Sequence, residues 1–188
     1  LLWINHIESH MFANFLGRRT EEILFPNITL TVSGWHTEIY LWKSLFEFEL
    51  LGQSRDDAVG ECFDKVGKML WLWFPGWSKI ARLAQDYRSN SSLIQREKLR
   101  TLFPRSLLEK DSLDFSFSGT KSAIKRYIDD LLPLTDYKIQ EIAYATEEAL
   151  TDVLVEKVDR AILQYNPKMI TLAGWVSANT ILREKLYN

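Results

Sequence analysis

A mixed α/β fold is predicted by two features of the chain. Residues 27–51 hold three short apolar and β-branched runs joined by tight turns. From Asp56 onward, helical periodicities alternate with single strand-like runs, the layout of an α/β domain.

Leu1–Asn5 reads as the end of a buried strand that feeds a helix over His6–Leu16. Asn27–Ser33, Glu38–Lys43 and Phe46–Leu51 read as three successive strands. Ala58, Cys62, Val66 and Met69 recur at near-helical spacing and predict a helix over Asp56–Leu70. Pro75-Gly76 restarts the chain into a shorter helix, Ser78–Asp86. Residues 87–102 are polar and uneven, a loop with a short helical piece. Asp114–Ser118 is strand-like, and Gly119 opens a helical region that Pro133 interrupts. A second helix covers Asp136–Tyr165, and Lys168–Ala173 is a buried strand. Gly174-Trp175 turns the chain into a last helix, Ser177–Leu186. No internal repeat and no low-complexity tract interrupts this order.

Composition narrows the class. The chain has 188 residues, 46% of them hydrophobic, enough for one core or two small ones. A formal charge of −2 gives no global basic footprint, so any nucleic-acid contact is local or shared with a partner. One cysteine, Cys62, excludes a disulfide scaffold and fits a reducing cytoplasm. No apolar run approaches the roughly 18 residues of a membrane span, and the first residues carry no charged leader. The expectation is a soluble, cytoplasmic protein. The absence of an initiator Met and the strand-like start predict a fragment of a longer chain.

Five constellations could carry chemistry. In His6-Ile7-Glu8-Ser9-His10, positions i and i+4 stand about 40° apart on a helix, so both imidazoles can hold one metal. Glu8, about 200° round from His6, cannot serve as the general base of a zinc peptidase. Thr31-Val32-Ser33-Gly34-Trp35-His36-Thr37 is a strand–turn–strand whose backbone N–H groups could face a phosphate. Asp57, Glu61 and Asp64, spaced i, i+4 and i+7, would line one helix face and could accept bonds from ribose hydroxyls or an amine. Gly60 within that helix costs roughly 1 kcal/mol and hints at close packing or a nearby ligand. Asp114-Phe115-Ser116-Phe117-Ser118-Gly119 is the fourth constellation. Ala173-Gly174-Trp175-Val176-Ser177-Ala178-Asn179, a strand, glycine turn and helix start, is the fifth. Taken singly, each also has a plain structural reading as a turn, a cap or a solvated face.

In this order and spacing the motifs WINHIESH, TVSGWHT, ELLGQSRDDAVGECFDK, WLWFPGW, FPRS, DFSFSGTKS and AGWVSAN resemble the TsaD (Gcp, YgjD) family of bacterial tRNA threonylcarbamoyl-adenosine transferases, formerly called O-sialoglycoprotein endopeptidases. The resemblance runs from Trp3 to Arg183 and is loosest over 78–102. It implies an α/β fold of the actin/sugar-kinase/Hsp70 (ASKHA, RNase H-like) type, with two lobes around a nucleotide. Residues 1–26 would be the end of the first lobe with its metal-binding helix, and 27–188 most of the second. The family also carries an earlier lobe segment and a later TDNAAM segment whose Asp completes the metal site. The implied reaction transfers a threonylcarbamoyl group from threonylcarbamoyl-AMP to N6 of the adenosine next to the tRNA anticodon.

Carried over by position, His6 and His10 match the metal ligands, with iron or zinc as the metal. Thr31, Val32, Ser33, Gly34, Trp35, Asp64, Trp77 and Asn179 match substrate contacts. The implied partners are tRNA and the TsaB and TsaE proteins. Arg96, Lys98, Arg100, Arg105, Lys121, Lys125 and Arg126 are candidates for the tRNA backbone. The competing readings are a non-catalytic fragment that scaffolds partners, a metallopeptidase, and a sugar kinase or ATPase sharing the fold. The histidine pair and DFSFSG separate the chain from the last.

Trp3, Trp35, Trp71, Trp73, Trp77 and Trp175 fall where the resembled family has glycine, and only Trp42 suits its place as written. The acidic, amide and histidine positions of the motifs are intact. Gly and Trp codons differ by one base, which predicts a gene that reads UGA as glycine, translated here with UGA as tryptophan. Sequencing the gene checks this: UGA at the six positions is expected, and UGG there overturns it.

Overall fold

The structure, a computed structural model, describes residues 6–106 and 111–187. The strand tail expected at Leu1–Asn5 lies outside the described residues. A four-stranded mixed sheet has the order β3-β2-β1-β4, with β1 Asn27–Val32, β2 Thr37–Ser44, β3 Glu47–Gln53 and β4 Met169–Ala173. The first three strands form an antiparallel meander, as their short turns require. β4 returns parallel to β1, with Thr29 opposite Thr171 and Thr31 opposite Ala173. Between β3 and β4 run the helices α2 Val59–Met69, α3 Gly76–Asn90, α4 Leu93–Arg100, α5 Ser118–Leu131 and α6 Asp136–Tyr165. Helix α1, His6–Phe12, precedes the sheet and α7, Thr180–Tyr187, follows it. This is the α/β class predicted.

All six residues of β1 are buried, because both faces of this strand are covered. Ile28, Leu30 and Val32 join the main core, with Val59, Phe63 and Val66 of α2 and Ala149, Leu150 and Val153 of α6. The other face carries a smaller cluster of Met11, Phe15 and Trp42. Phe12 and Phe15 meet the Trp42 ring edge to face, with centroids 5.2 and 5.4 Å away, and so seat the α1 segment on the sheet. On that side Thr29 and Thr171 pair their hydroxyls at 2.7 Å, and Thr171 also donates to Asn27.

Several elements depart from the sequence reading. Helix α3 runs on to Asn90 because Ile80, Ala84 and Tyr87 continue one buried stripe against α6. The stretch read as mostly loop contains α4, opened by a capping box in which Ser92 and Gln95 satisfy each other's backbone amides. Asp114–Ser118 forms no strand; its only ladder contact is a bridge between Phe115 and Ser54. Helix α2 starts at Val59 rather than Asp56 because the preceding residues are clasped to this segment. Phe115 donates to Gln53 O and accepts from the Arg55 amide, each at 3.0 Å. Asp114 accepts from the Gln53 amide and Arg55 Nε, and Asp56 accepts from Ser116 Oγ and the Phe117 amide.

Candidate functional site: a cleft where the Gly-Trp turns meet

The sequence has three Gly-Trp pairs, and the fold brings all of them to one place. A cleft of about 830 Å³ is lined by Gly34, Trp35, Glu61, Asp64, Lys65, Lys68, Trp71, Leu72, Trp73, Phe74 and Trp175. Trp77 stands behind it, its ring centroid 5.3 Å from that of Trp175. Gly34 belongs to the β1–β2 turn, Gly76 opens α3, and Gly174 follows β4, so the cleft lies at the C-terminal ends of the parallel strands β1 and β4. Ligands of open α/β sheets bind outside the carboxyl ends of strands.

Close backbone packing makes this convergence possible. A Cβ on Gly60 would stand 2.4 Å from the Ser33 carbonyl oxygen, which accepts the Gly60 amide at 3.2 Å. The glycine that looked costly within a helix thus lets α2 rest on the β1–β2 turn. Gly174 has φ +83°, and a Cβ there would lie 2.2 Å from the Val32 carbonyl oxygen, so both conformation and space demand glycine.

Around the turn, Ser33 Oγ accepts from the amides of Trp35 and His36, and the Ser33 amide donates to His36 O at 2.8 Å. The side chain of Ser33 therefore takes amides that the sequence reading offered to a phosphate. Thr31 and Val32 are buried within β1, and the Thr31 hydroxyl has no hydrogen-bond partner among the described residues. They shape the turn from behind. Asp64 lines the cleft and accepts the Gly76 amide at 2.6 Å. Burial pushes its carboxyl above the ordinary range, against the pull of the Gly76 and Trp77 amides. Asn179 is buried away from the lining, with Nδ2 donating to Glu147 and Oδ1 accepting the Leu182 amide.

The expected face of three carboxylates does not form, because Asp57 precedes α2. Its carboxylate pairs with Lys65 at 2.6 Å and with Lys121. Burial opposes ionisation there, but the two lysines hold the carboxyl below its usual range. Glu61 pairs with Lys65 at 2.9 Å. Lys65 and Lys68 were missed as cleft residues; their spacing from Glu61 and Asp64 on one helix was the available signal. Among the candidate cations, Arg105 is paired to Asp152, Lys121 to Asp57 and Lys125 to Asp129.

His6 and His10 face each other from successive turns of α1, with Nε2 atoms 3.2 Å apart. Two imidazoles on a tetrahedral ion at about 2.05 Å would sit roughly 3.3 Å apart, so the pair fits a shared metal. His36 approaches from the β1–β2 turn, its ring centroid 6.0 Å from that of His6, a neighbour the sequence reading did not include. Among the described residues no group of three or more His, Cys, Asp or Glu is placed to hold an ion, so the pair supplies two donors.

The tryptophans divide sharply. Trp42 is fully buried in the core, whereas Trp35, Trp71 and Trp73 are 85%, 64% and 80% exposed. Trp71 is the clearest misfit. Its φ is +56°, its amide donates to Lys68 O, and the Leu72 amide reaches back to Gly67 O at 2.8 Å. These bonds form a Schellman motif ending α2, and Trp71 occupies the left-handed position that glycine normally takes.

A sequence model of the family described as TsaD, tRNA N6-adenosine threonylcarbamoyltransferase, matches residues 1–188. Proteins bearing the name tRNA N6-adenosine threonylcarbamoyltransferase are similar to the chain. One from Persephonella marina is 42% identical over 98% of this chain and 50% of its own length. Another from Bdellovibrio bacteriovorus is 38% identical over 98% of the chain and 52% of its own length. A third from Listeria monocytogenes is 40% identical over 99% and 51%. The chain spans about half the length of the curated relatives it matches.

Replacing Trp71 with glycine relieves the left-handed strain without removing a core contact. Trp71→Gly is expected to add about 1–2 kcal/mol of stability and raise Tm by several degrees. An unchanged or lower Tm by calorimetry would show that position 71 is not a glycine site.

Proposed function

The chain belongs to the TsaD family of tRNA N6-adenosine threonylcarbamoyltransferases, and on that premise we propose that it forms part of an enzyme that transfers a threonylcarbamoyl group from threonylcarbamoyl-AMP to N6 of the adenosine beside the tRNA anticodon. The observation that carries this reading is the convergence of the three Gly-Trp turns and Asp64 on one cleft, beside the β1–β2 turn whose His36 lies near the histidine pair. In this reading residues 1–26 close a first lobe and 27–188 form most of a second, with the nucleotide between them. Function in the cell requires the longer chain, tRNA, and partners of the TsaB and TsaE type.

The residues have distinct tasks. Ser33 holds the β1–β2 turn closed through its Oγ, Gly34 and Trp35 carry that turn to the adenylate on the cleft wall, and Thr31 and Val32 fix it from the core. Asp64, held by the start of α3, meets the ribose or an amine from the cleft wall. Trp77 stands at the α3 turn, where a glycine would leave room for the same ligand. Asn179 braces the Trp175–Ala178 wall. Lys68 supplies positive charge along the cleft to the phosphate, where negative charge develops as AMP departs, while Lys65 is paired with Asp57 and Glu61.

His6 and His10 would hold the metal, iron or zinc, which supplies Lewis acidity for the carbamate and threonyl oxygens. Burial, and then the neighbouring His6 and His36, lower the His10 pKa and favour its neutral imidazole, the form that ligates. Among the described residues no helix is long and apolar enough to cross a membrane.

In the full-length protein, His6→Ala and His10→Ala are each expected to lose bound metal and at least about 100-fold of transfer activity, since each removes an imidazole that would hold the ion directly. Elemental analysis and a tRNA transfer assay measure both. Undiminished transfer without bound metal would remove the metal from the reaction.

A further inference from the structure

We infer that Glu147 is a positioning residue for the cleft: through Asn179 it holds the Trp175–Ala178 turn, whose Trp175 lines the cleft, an assignment that rests on the cleft being the adenylate site. Glu147 lies midway along α6 and is 1% exposed. Burying a carboxylate is costly unless it is paired with an opposite charge and with donors. The two oxygens of Glu147 face two different elements. Oε2 lies 2.7 Å from Nη2 of Arg88 on α3, and Oε1 accepts from Asn179 Nδ2 at 2.6 Å.

A carboxyl oxygen accepts from an amide nitrogen and not from an amide oxygen, so this bond decides which way round the Asn179 side-chain amide stands. With Nδ2 turned toward α6, Oδ1 is left to accept the Leu182 amide at 2.8 Å and start α7. The wall backbone follows from that anchor. The Asn179 amide donates to Val176 O at 2.9 Å, and the Ser177 amide to Gly174 O at 3.1 Å. The other end of the wall is fixed by Gly174 pressed on the Val32 carbonyl. One end of the wall is therefore held by backbone contact with β1 and the other by the Glu147–Asn179 pair.

The neighbouring ions serve a different joint. Glu148 pairs with Arg88 and Lys185, and Lys185 continues to Thr151 and Asp152. These pairs tie α6 to α3 and α7 and leave the Asn179 amide to Glu147. A side chain chosen only to fill space between α3, α6 and α7 would need no acceptor aimed at Asn179 Nδ2.

The test uses the full-length protein, with AMP as the probe in titration calorimetry and bound metal as a control. Glu147→Ala is expected to weaken AMP binding about tenfold with metal content unchanged. Glu147→Gln, whose Oε1 still accepts from Asn179, is expected to stay within about twofold of the wild type. Glu147→Ala binding as the wild type does, or Glu147→Gln falling as far as Glu147→Ala, would overturn the role. If Glu147→Ala does not fold, Asn179→Asp decides instead, because it keeps the bond to Leu182 but sets a carboxylate against Glu147. Weaker AMP binding by Asn179→Asp supports the role, and unchanged binding overturns it. A wild type that binds no AMP would show that the adenylate reading itself has failed, and the positioning role with it.

Discussion

Everything about this cleft depends on main chain resting directly on main chain at the ends of β1 and β4. Gly60 sets the start of α2 on the Ser33 carbonyl, and Gly174 sets the last turn on the Val32 carbonyl. With any side chain at either place the segments must separate, since a Cβ would lie far inside contact distance of a carbonyl oxygen. Because they do not separate, turns far apart in sequence share one opening. The Gly76 amide, bonded to Asp64, brings the third turn to the same wall.

The rest of the fold secures that arrangement. β1 is buried on both faces and cannot shift without disturbing both cores. The segment before α2 is zipped to residues 114–117 by backbone bonds and by Asp56 and Asp114, which fixes where the helix begins. On the far side, a network of Arg88, Glu147, Glu148, Asp152, Lys185 and Arg105 joins α3, α6, α7 and the loop after α4. Paired in this way, buried charges specify one arrangement of helices more than they add stability.

Much of this was legible in the sequence, and the rest was hidden for physical reasons. The strand meander and the long helix Asp136–Tyr165 showed through their periodicities, and the histidine pair through its helical spacing. The α3 extension was obscured because Arg82, Gln85 and Asp86 dilute the stripe that Ile80, Ala84 and Tyr87 bury. Helix α4 carried a capping box, Ser92 to Gln95, within a polar stretch that drew attention to its composition instead. Asp57 looked helical by spacing, but its lysine partners come from α2 and α5, a tertiary pairing no local pattern reveals. Asn179 was expected as a nucleoside contact from the family resemblance, and its bond to Glu147, 32 residues earlier on α6, is a tertiary pairing no local pattern reveals. The Gly-Trp pairs pointed to turns that meet around one cleft, and at Trp71, outside those pairs, the left-handed backbone explains why tryptophan is the odd residue.

The central claim is that the turns carrying Trp35 and Trp175, together with helix α2 between them, wall a single cleft that takes the nucleotide. Photolabelling the full-length protein with azido-AMP, followed by peptide mapping, tests it most directly. Label shared among the peptides holding Ser33–Trp35, Lys65–Lys68 and Gly174–Ser177, and competed by AMP, is the predicted result. Competed label confined to peptides outside these turns would contradict the account.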